Sequence, residues 1–269
     1  MTVFGFFLHP QRAEVTDLVK EATVWLEERG HETRVVGEDD PAEGLDLAVS
    51  LGGDGTMLRT VDQVAEADVP VMGVNLGQLG YLAEVEPAFL LQALERFLAG
   101  EHTVVDRMRM SVHIDATSCA GDYPALNEAV VGKTPTGQVA RLAVTVDGQP
   151  FTTYVADGLI VATPTGSTAY AWSAGGPIIA PEAQALLLTP VAAHMLFDRS
   201  LVLLPTATIR LEVVGDRGAT VSVDGRNLGE LDEGDAVECT VASTPARLVT
   251  FEPRSFLNIL KAKFGLNDR

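Results

Sequence analysis

Residues 51–56 read LGGDGT and follow a short apolar run, LDLAVS, at 45–50. Three glycines around one carboxylate suit neither a helix interior nor a strand interior. They let a backbone come close to a ligand and offer N–H groups to phosphate, and a helix starting just beyond adds its positive end. The spacing is not that of a P-loop, and Leu58 stands where G-x-G-x-x-G needs its last glycine. Asp54 repels a phosphate by charge. Its chemistry is therefore to take a proton from an alcohol during phosphoryl transfer, or to help hold a metal ion. Arg59, about one helical turn on, supplies compensating charge. A plainer reading competes, in which the turn is only tight and its aspartate caps a helix.

Three further segments carry polar, mostly uncharged chemistry. GVNLGQLGYL (73–82) places Asn75 in a second glycine-rich turn. DGLIVATPTGSTAYAWSAGGPI (157–178) offers the hydroxyls of Thr163, Thr165, Ser167, Thr168 and Ser173 and the flat face of Tyr170, which suits ribose, amide and adenine edges. Asn127-Glu128, at the end of a strand-like LNEAVV, sets an amide beside a carboxylate, a pair fitted to a diol or an amino group. A Gly/Pro-rich loop without a ligand, and a merely exposed Asn-Glu pair, remain the plain alternatives. The five histidines have no metal-ligand spacing and read as structural. Cys119 and Cys239 read as reduced, structural thiols, so no protein metal cage is expected.

Positioning these residues requires two kinds of element. Over the first hundred residues strand-like and helix-like periods alternate. VFGFFL (3–8), 33–36, 45–51 and 69–74 read as strands. Helical spacing joins Val15, Leu18, Val19, Ala22 and Leu26, recurs from about 56, and returns in Phe89, Leu90, Ala93, Leu94, Phe97 and Leu98. The pattern predicts an α/β domain with a parallel, Rossmann-like sheet, residues 1–103, with LGGDGT beyond the end of its third strand. After about 103 the period falls to two, in RMRMSVHI, RLAVTV, TIRLEVV and ATVSV, with Asp147-Gly148 and Asp224-Gly225 as turns. A β-rich, sandwich-like domain over 104–250 follows, and an amphipathic tail, 251–269, is expected to pack back on the first domain.

The chain has 269 residues and a formal charge of −18. Such a surface repels a phosphate backbone, and no dense Lys/Arg run relieves it, so no nucleic-acid partner is expected. No apolar stretch reaches the length of a membrane span, and MTVFGFFLHP lacks a signal peptide's features, so a soluble, cytoplasmic protein without membrane contact is expected.

Taken together, GGDGT (52–56), the 73–82 segment, Asn127-Glu128 and TPTGSTAY with SAGGPI resemble the NAD kinase family, ATP- or polyphosphate-dependent, over nearly the full length. GGDGT alone is shared with diacylglycerol and sphingosine-type lipid kinases and, with variation, phosphofructokinases; TPTGSTAY is the specific part. The resemblance implies phosphorylation of the 2′-hydroxyl of the adenosine ribose of NAD to give NADP, with ATP as donor and Mg2+ accompanying it. Asp54 matches the proposed general base. Gly52, Gly53, Gly55 and Arg59, with Thr56 in the same motif, match phosphate contacts. Asn127, Glu128, Thr168, Ala169 and Tyr170 match dinucleotide contacts, and Tyr81 an aromatic position beside the ligand. Asp157 matches a residue that reaches in from a neighbouring subunit, which implies a homo-oligomer, a dimer or tetramer. The family's α/β domain precedes a β-rich one, with the site between them.

The chain also departs from the family pattern. Arg199 is followed by Ser200 where an Arg-Pro pair is usual, and TPTG (134–137) and Val155 are uncharged where many relatives carry basic residues. Donor choice and NAD-over-NADH preference are therefore not carried across. A lipid kinase is disfavoured by the acidic chain, which has no basic amphipathic helix. A non-catalytic dinucleotide sensor is disfavoured by the intact turn around Asp54.

Overall fold

VFGFFL forms β1 (Val3–Leu8), flanked in a parallel sheet by β2 (Glu32–Val35) and β3 (Leu47–Gly52); β4 (Val71–Asn75) pairs with β3 in the same sense. The computed structural model describes residues 1–9, 14–38, 40–77, 80–134, 138–252 and 255–266. Gln78 and Leu79 of the second glycine-rich turn, and 135–137 of the TPTG stretch, lie outside them. The chain divides into two compact units, Met1–Asp106 with Ala246–Arg269, and Arg107–Pro245.

In the first unit the sheet order is β2-β1-β3-β4-β18-β5, where β5 is Thr103–Arg107 and β18 is Ala246–Thr250. Alternation along the strands sends Phe4, Phe6, Val49, Leu51, Met72 and Val74 to one face. There they pack against Val15, Val19, Ala22 and Leu26 of α1 (Glu14–Glu27) and Leu90, Ala93 and Leu94 of α3 (Leu90–Leu98). Small residues, Ala48, Ser50 and Gly73, face the other way and admit α2 (Asp54–Val64), whose Thr60 hydroxyl donates to Ser50 Oγ at 3.0 Å. A Cβ on Gly73 would stand 3.1 Å from Met57 Sδ and 2.7 Å from Ala83 Cα, so only glycine admits both neighbours.

The second unit is built from β6 (Met110–Asp115), β7 (Gly121–Ala125), β8 (Glu128–Lys133), β9 (Ala140–Val146), β10 (Gln149–Ala156), β11 (Gly158–Ala162), β12 (Leu186–Val191), β13 (Leu201–Leu203), β14 (Ile209–Val213), β15 (Ala219–Val223), β16 (Arg226–Leu231) and β17 (Ala236–Val241). They form two six-stranded sheets, β10-β9-β14-β17-β6-β7 and β13-β12-β11-β8-β15-β16, in which the paired strands run antiparallel. Val112, Val144, Leu211 and Val237 of one sheet share a core with Val131, Val161, Leu188 and Val221 of the other, which makes the unit a sandwich. Asp147-Gly148 and Asp224-Gly225 turn two of its hairpins with positive φ at both residues. Helix is confined among the described residues to short pieces such as α4 (Tyr170–Ser173).

The chain re-enters the first unit at Ala246, adds β18 beside β4, and ends in α5 (Phe256–Phe264), closed by Gly265 at φ +62°. Among the described residues no helix is long and apolar enough to cross a membrane.

Candidate active site

The turn after β3 does not use its aspartate as a cap. Gly53 is the N-cap residue of α2, in extended conformation, and Asp54 opens the helix. Its carboxylate is turned instead toward the segment after β4, where the N–H groups of Tyr81 and Leu82 donate to Oδ2 at 3.0 Å and Oδ1 at 3.2 Å. This segment folds back because Glu84 and Val85 both donate to Gly73 O and Asn75 donates to Val85 O. The glycines divide the work. A Cβ on Gly80 would collide with the Asp54 carboxylate and one on Gly52 with the Thr56 side chain, whereas Gly53 and Gly55 face open space. The first two are glycine because something is already there; the other two leave the exposed start of α2, with its unshared N–H groups, open to an approaching anion. Asn75 Oδ1 accepts from Gly77 N–H at 3.1 Å and holds the next turn. Tyr81 carries the Lys263 ammonium of α5 over its ring, 3.7 Å from the centroid. Burial, and then the Asp54 charge, push its hydroxyl above the usual tyrosine range.

In the second unit three chain segments meet. Asn127-Glu128 opens β8 rather than ending a strand, and Thr163 donates its N–H to Asn127 O at 2.9 Å and its hydroxyl to Leu126 O. A Cβ on Gly166 would strike the Asn127 main chain, so the 163–170 loop lies directly on the Asn-Glu pair. Tyr170 N–H binds the Glu128 carboxylate. The third segment is the β15–β16 hairpin. Asp224, held at φ +47°, accepts the N–H groups of Leu126, Asn127 and Glu128 at 2.7, 2.8 and 3.0 Å. Burial, then the Asp224 charge, raise the Glu128 carboxyl to about 8, against the pull of the Tyr170 N–H. Glu128 is 7% exposed and its Oε2 has no hydrogen-bond partner, so a protonated side chain is poised to donate.

The residues read from the long motif separate by role. Thr163 and Ser167 are fully buried, and Ser167 ties Pro164 O to both main-chain groups of Ile179. These two shape the loop. Thr168 bonds back to Thr165 O, while Thr165 keeps a buried hydroxyl without a partner. Ala169 is half-buried, and Tyr170 and Ser173 are exposed. Asp157 stands before β11, at the opposite end of that strand from Ala162 and Thr163, roughly 17 Å away by strand rise, and its carboxylate pairs with Lys133 Nζ at 2.8 Å. Arg199 is exposed beside Asp198, and Ser200 bonds Thr189 Oγ1. Asp224 and Lys263 were not singled out from the sequence. Asp-Gly signals a hairpin but not the clamp its side chain makes, and a lysine on a terminal helix has no local signature. Both cysteines are buried and unpaired, and burial pushes the Cys239 thiol up to about 12. Among the described residues no three His, Cys, Asp or Glu side chains gather as a metal site.

A glycine-flanked aspartate at the carboxyl end of parallel strands, in one chain with a sandwich that buries Glu128 beside a half-buried Asn127, fits the class of nucleotide-handling phosphotransferases. Two family models match in turn, the ATP-NAD kinase N-terminal domain over residues 9–102 and the ATP-NAD kinase C-terminal domain over 126–251. The NAD kinase of Syntrophotalea carbinolica is 35% identical over 100% of both chains, and that of Heliobacterium modesticaldum 39% identical over 98% of both. The chain belongs to the NAD kinase family and shares its enzymatic class, NAD-kinase-type phosphoryl transfer. Among solved structures, yeast NADH kinase complexed with NADH superposes with a TM-score of 0.90 at 24% identity, covering 100% of this chain and 89% of that one. An Archaeoglobus fulgidus NAD kinase in complex with ATP gives 0.80 at 27%, covering 99% and 100%. Both share the two-part architecture described above.

Proposed function

We propose that the chain phosphorylates the 2′-hydroxyl of the adenosine ribose of NAD, with ATP as donor and Asp54 as general base. The observation that carries this reading is the Asp54 carboxylate, fixed by two backbone N–H groups at the open start of α2 with lone pairs to spare. The ribose oxygen attacks the terminal phosphorus, the bond to the bridging oxygen breaks and ADP leaves, while the hydroxyl proton passes to Asp54. Gly53 and Gly55 turn main-chain N–H groups toward the donor's phosphates, Thr56, whose own N–H is held by Gly53 O, adds an unpaired hydroxyl, and Arg59 balances their charge. Asn127, Glu128, Thr168, Ala169 and Tyr170 hold the dinucleotide, with Tyr81 beside it. Mg2+ fits as an ion carried by the triphosphate, with Asp54 the carboxylate nearest the turn, and it would shield the phosphate charge. Asp157, remote from Glu128 along its own strand, serves a neighbouring subunit in a homo-oligomer.

A coupled assay for NADP, with NAD, Mg2+ and ATP, tests the reading. The parent forms NADP, and Asp54→Asn loses about 10²–10⁴-fold in turnover while NAD affinity changes little. Equal loss of binding and rate would remove Asp54 from the role of base. No NADP from ATP, polyphosphate or NADH mixtures would leave a dinucleotide sensor.

A further inference from the structure

A cavity of about 320 Å3 lies in the parallel unit between α3 and the chain leaving β18. Phe89, Ala93 and Arg96, three and four residues apart, line it from the face of α3 and the turn before it. Phe251, just past β18, and Val85 continue the apolar wall. Phe89 ends a short helical turn, Pro87–Phe89, and is 54% exposed, so the widest part of that wall is open.

The polar part of the lining is acidic. Glu84, Glu86 and Glu252 stand against one cation, Arg96. The Arg96 charge is already met, because its guanidinium lies 3.2 Å from Glu252 and 3.8 Å from Glu101 and donates to Phe251 O at 3.0 Å. It also lies over the Phe251 ring, 5.1 Å from the centroid. Rings and carboxylates here therefore already seat one cation of the chain. Glu84 accepts the Phe251 N–H at 3.3 Å with one oxygen, and Glu86 is exposed at the rim. A chain of formal charge −18 draws cations to such a rim. Whole-ligand pockets begin at about 300 Å3, so the volume holds a small molecule with an apolar body and a positive end.

The cavity is also tied to Asp54. Glu84 and Val85 donate to Gly73 O and Asn75 donates to Val85 O, while the same short run supplies the Tyr81 and Leu82 N–H groups that hold the carboxylate. A ligand seated on Glu84–Glu86 binds the conformation in which Asp54 is gripped, and so favours it.

We infer that this cavity binds a small organic amine with an aryl or alkyl body, and that its occupancy steadies the segment holding Asp54. The second half rests on the reading of Asp54 as general base, and the experiment keeps the two apart. Its first arm is calorimetric titration of the full chain with phenethylamine, with phenethyl alcohol and hydrocinnamate as neutral and anionic counterparts. The amine is expected to bind about fivefold or more tighter than either counterpart. Glu86→Gln and Phe89→Ser, both at exposed positions and each checked by a thermal melt, are expected to weaken it about fivefold or more. Equal binding of the alcohol, unchanged affinity in either variant, or no binding of the amine, even where a lysine-rich peptide binds, would overturn the site.

The second arm is NADP formation. Saturating amine is expected to raise kcat about twofold or more in the parent, with KM for NAD little changed, and to leave Glu86→Gln unaffected. An unchanged or lowered kcat in the parent, or the same rise in Glu86→Gln, would strike the link to Asp54. The expected titrations in a protein that forms no NADP would keep the amine site and discard the reaction.

Discussion

At the scale of single residues, the Asp224–Glu128 arrangement makes the sharpest demands. Two carboxyl groups sit close together, Asp224 accepting three N–H bonds, and burial, then the Asp224 charge, drive Glu128 up to about 8. Its ordinary value is 4.5, so between 4.5 and 8 the folded chain holds a proton that the unfolded chain has released. Stability from this group is therefore complete below 4.5 and lost as pH rises through 8. The melting temperature should fall over that interval, and Glu128→Gln should flatten the slope; an identical slope would remove Glu128 as its source. Asp224→Asn is expected to lower the Glu128 midpoint and to raise KM for NAD about tenfold with a smaller change in kcat, because the clamp positions the pair without touching the reacting atoms.

Elements decide how close these groups come. Where β3 meets α2, and where the loop after β11 meets the start of β8, the close approach depends on Gly80 and Gly166. Gly80→Ala should push the Asp54 carboxylate off its two N–H donors and cost about 10²-fold in turnover with NAD binding largely kept, readable in a KM against kcat comparison. The sequence announced much of this level. VFGFFL spans β1 residue for residue, Val15, Leu18, Val19, Ala22 and Leu26 all fall in α1, and the fall to period two marks the sandwich strands. It did not reveal that ARLVT at 246–250 pairs with β4, since a short alternating run carries no mark of which sheet it joins. Nor did it reveal that Thr163 and Ser167 spend their hydroxyls on main chain, because a threonine or serine in a polar loop reads alike whether it faces a ligand or a carbonyl.

At the scale of the whole molecule, the main apolar core of the parallel unit and that of the sandwich have no described residue in common. Leu47→Ala in the parallel unit and Leu211→Ala in the sandwich should each cost about 2–5 kcal/mol, and calorimetry should show each lowering its own unit's transition if the units melt separately. A single transition shifted equally by both would mean that they melt as one. The two ends of the described chain also differ in what they touch. Met1 is 92% exposed and leads into β1 at the amino end of the parallel strands, away from the Asp54 turn. The other end is α5, a helix with no buried residue, whose Lys263 rests on the ring of Tyr81, the residue that grips Asp54 through its N–H. An affinity handle fused ahead of β1 is therefore expected to leave the Asp54 turn undisturbed. The same handle fused behind α5 tugs on it, and a kinetic comparison of the two fusions would report how firmly that helix is seated.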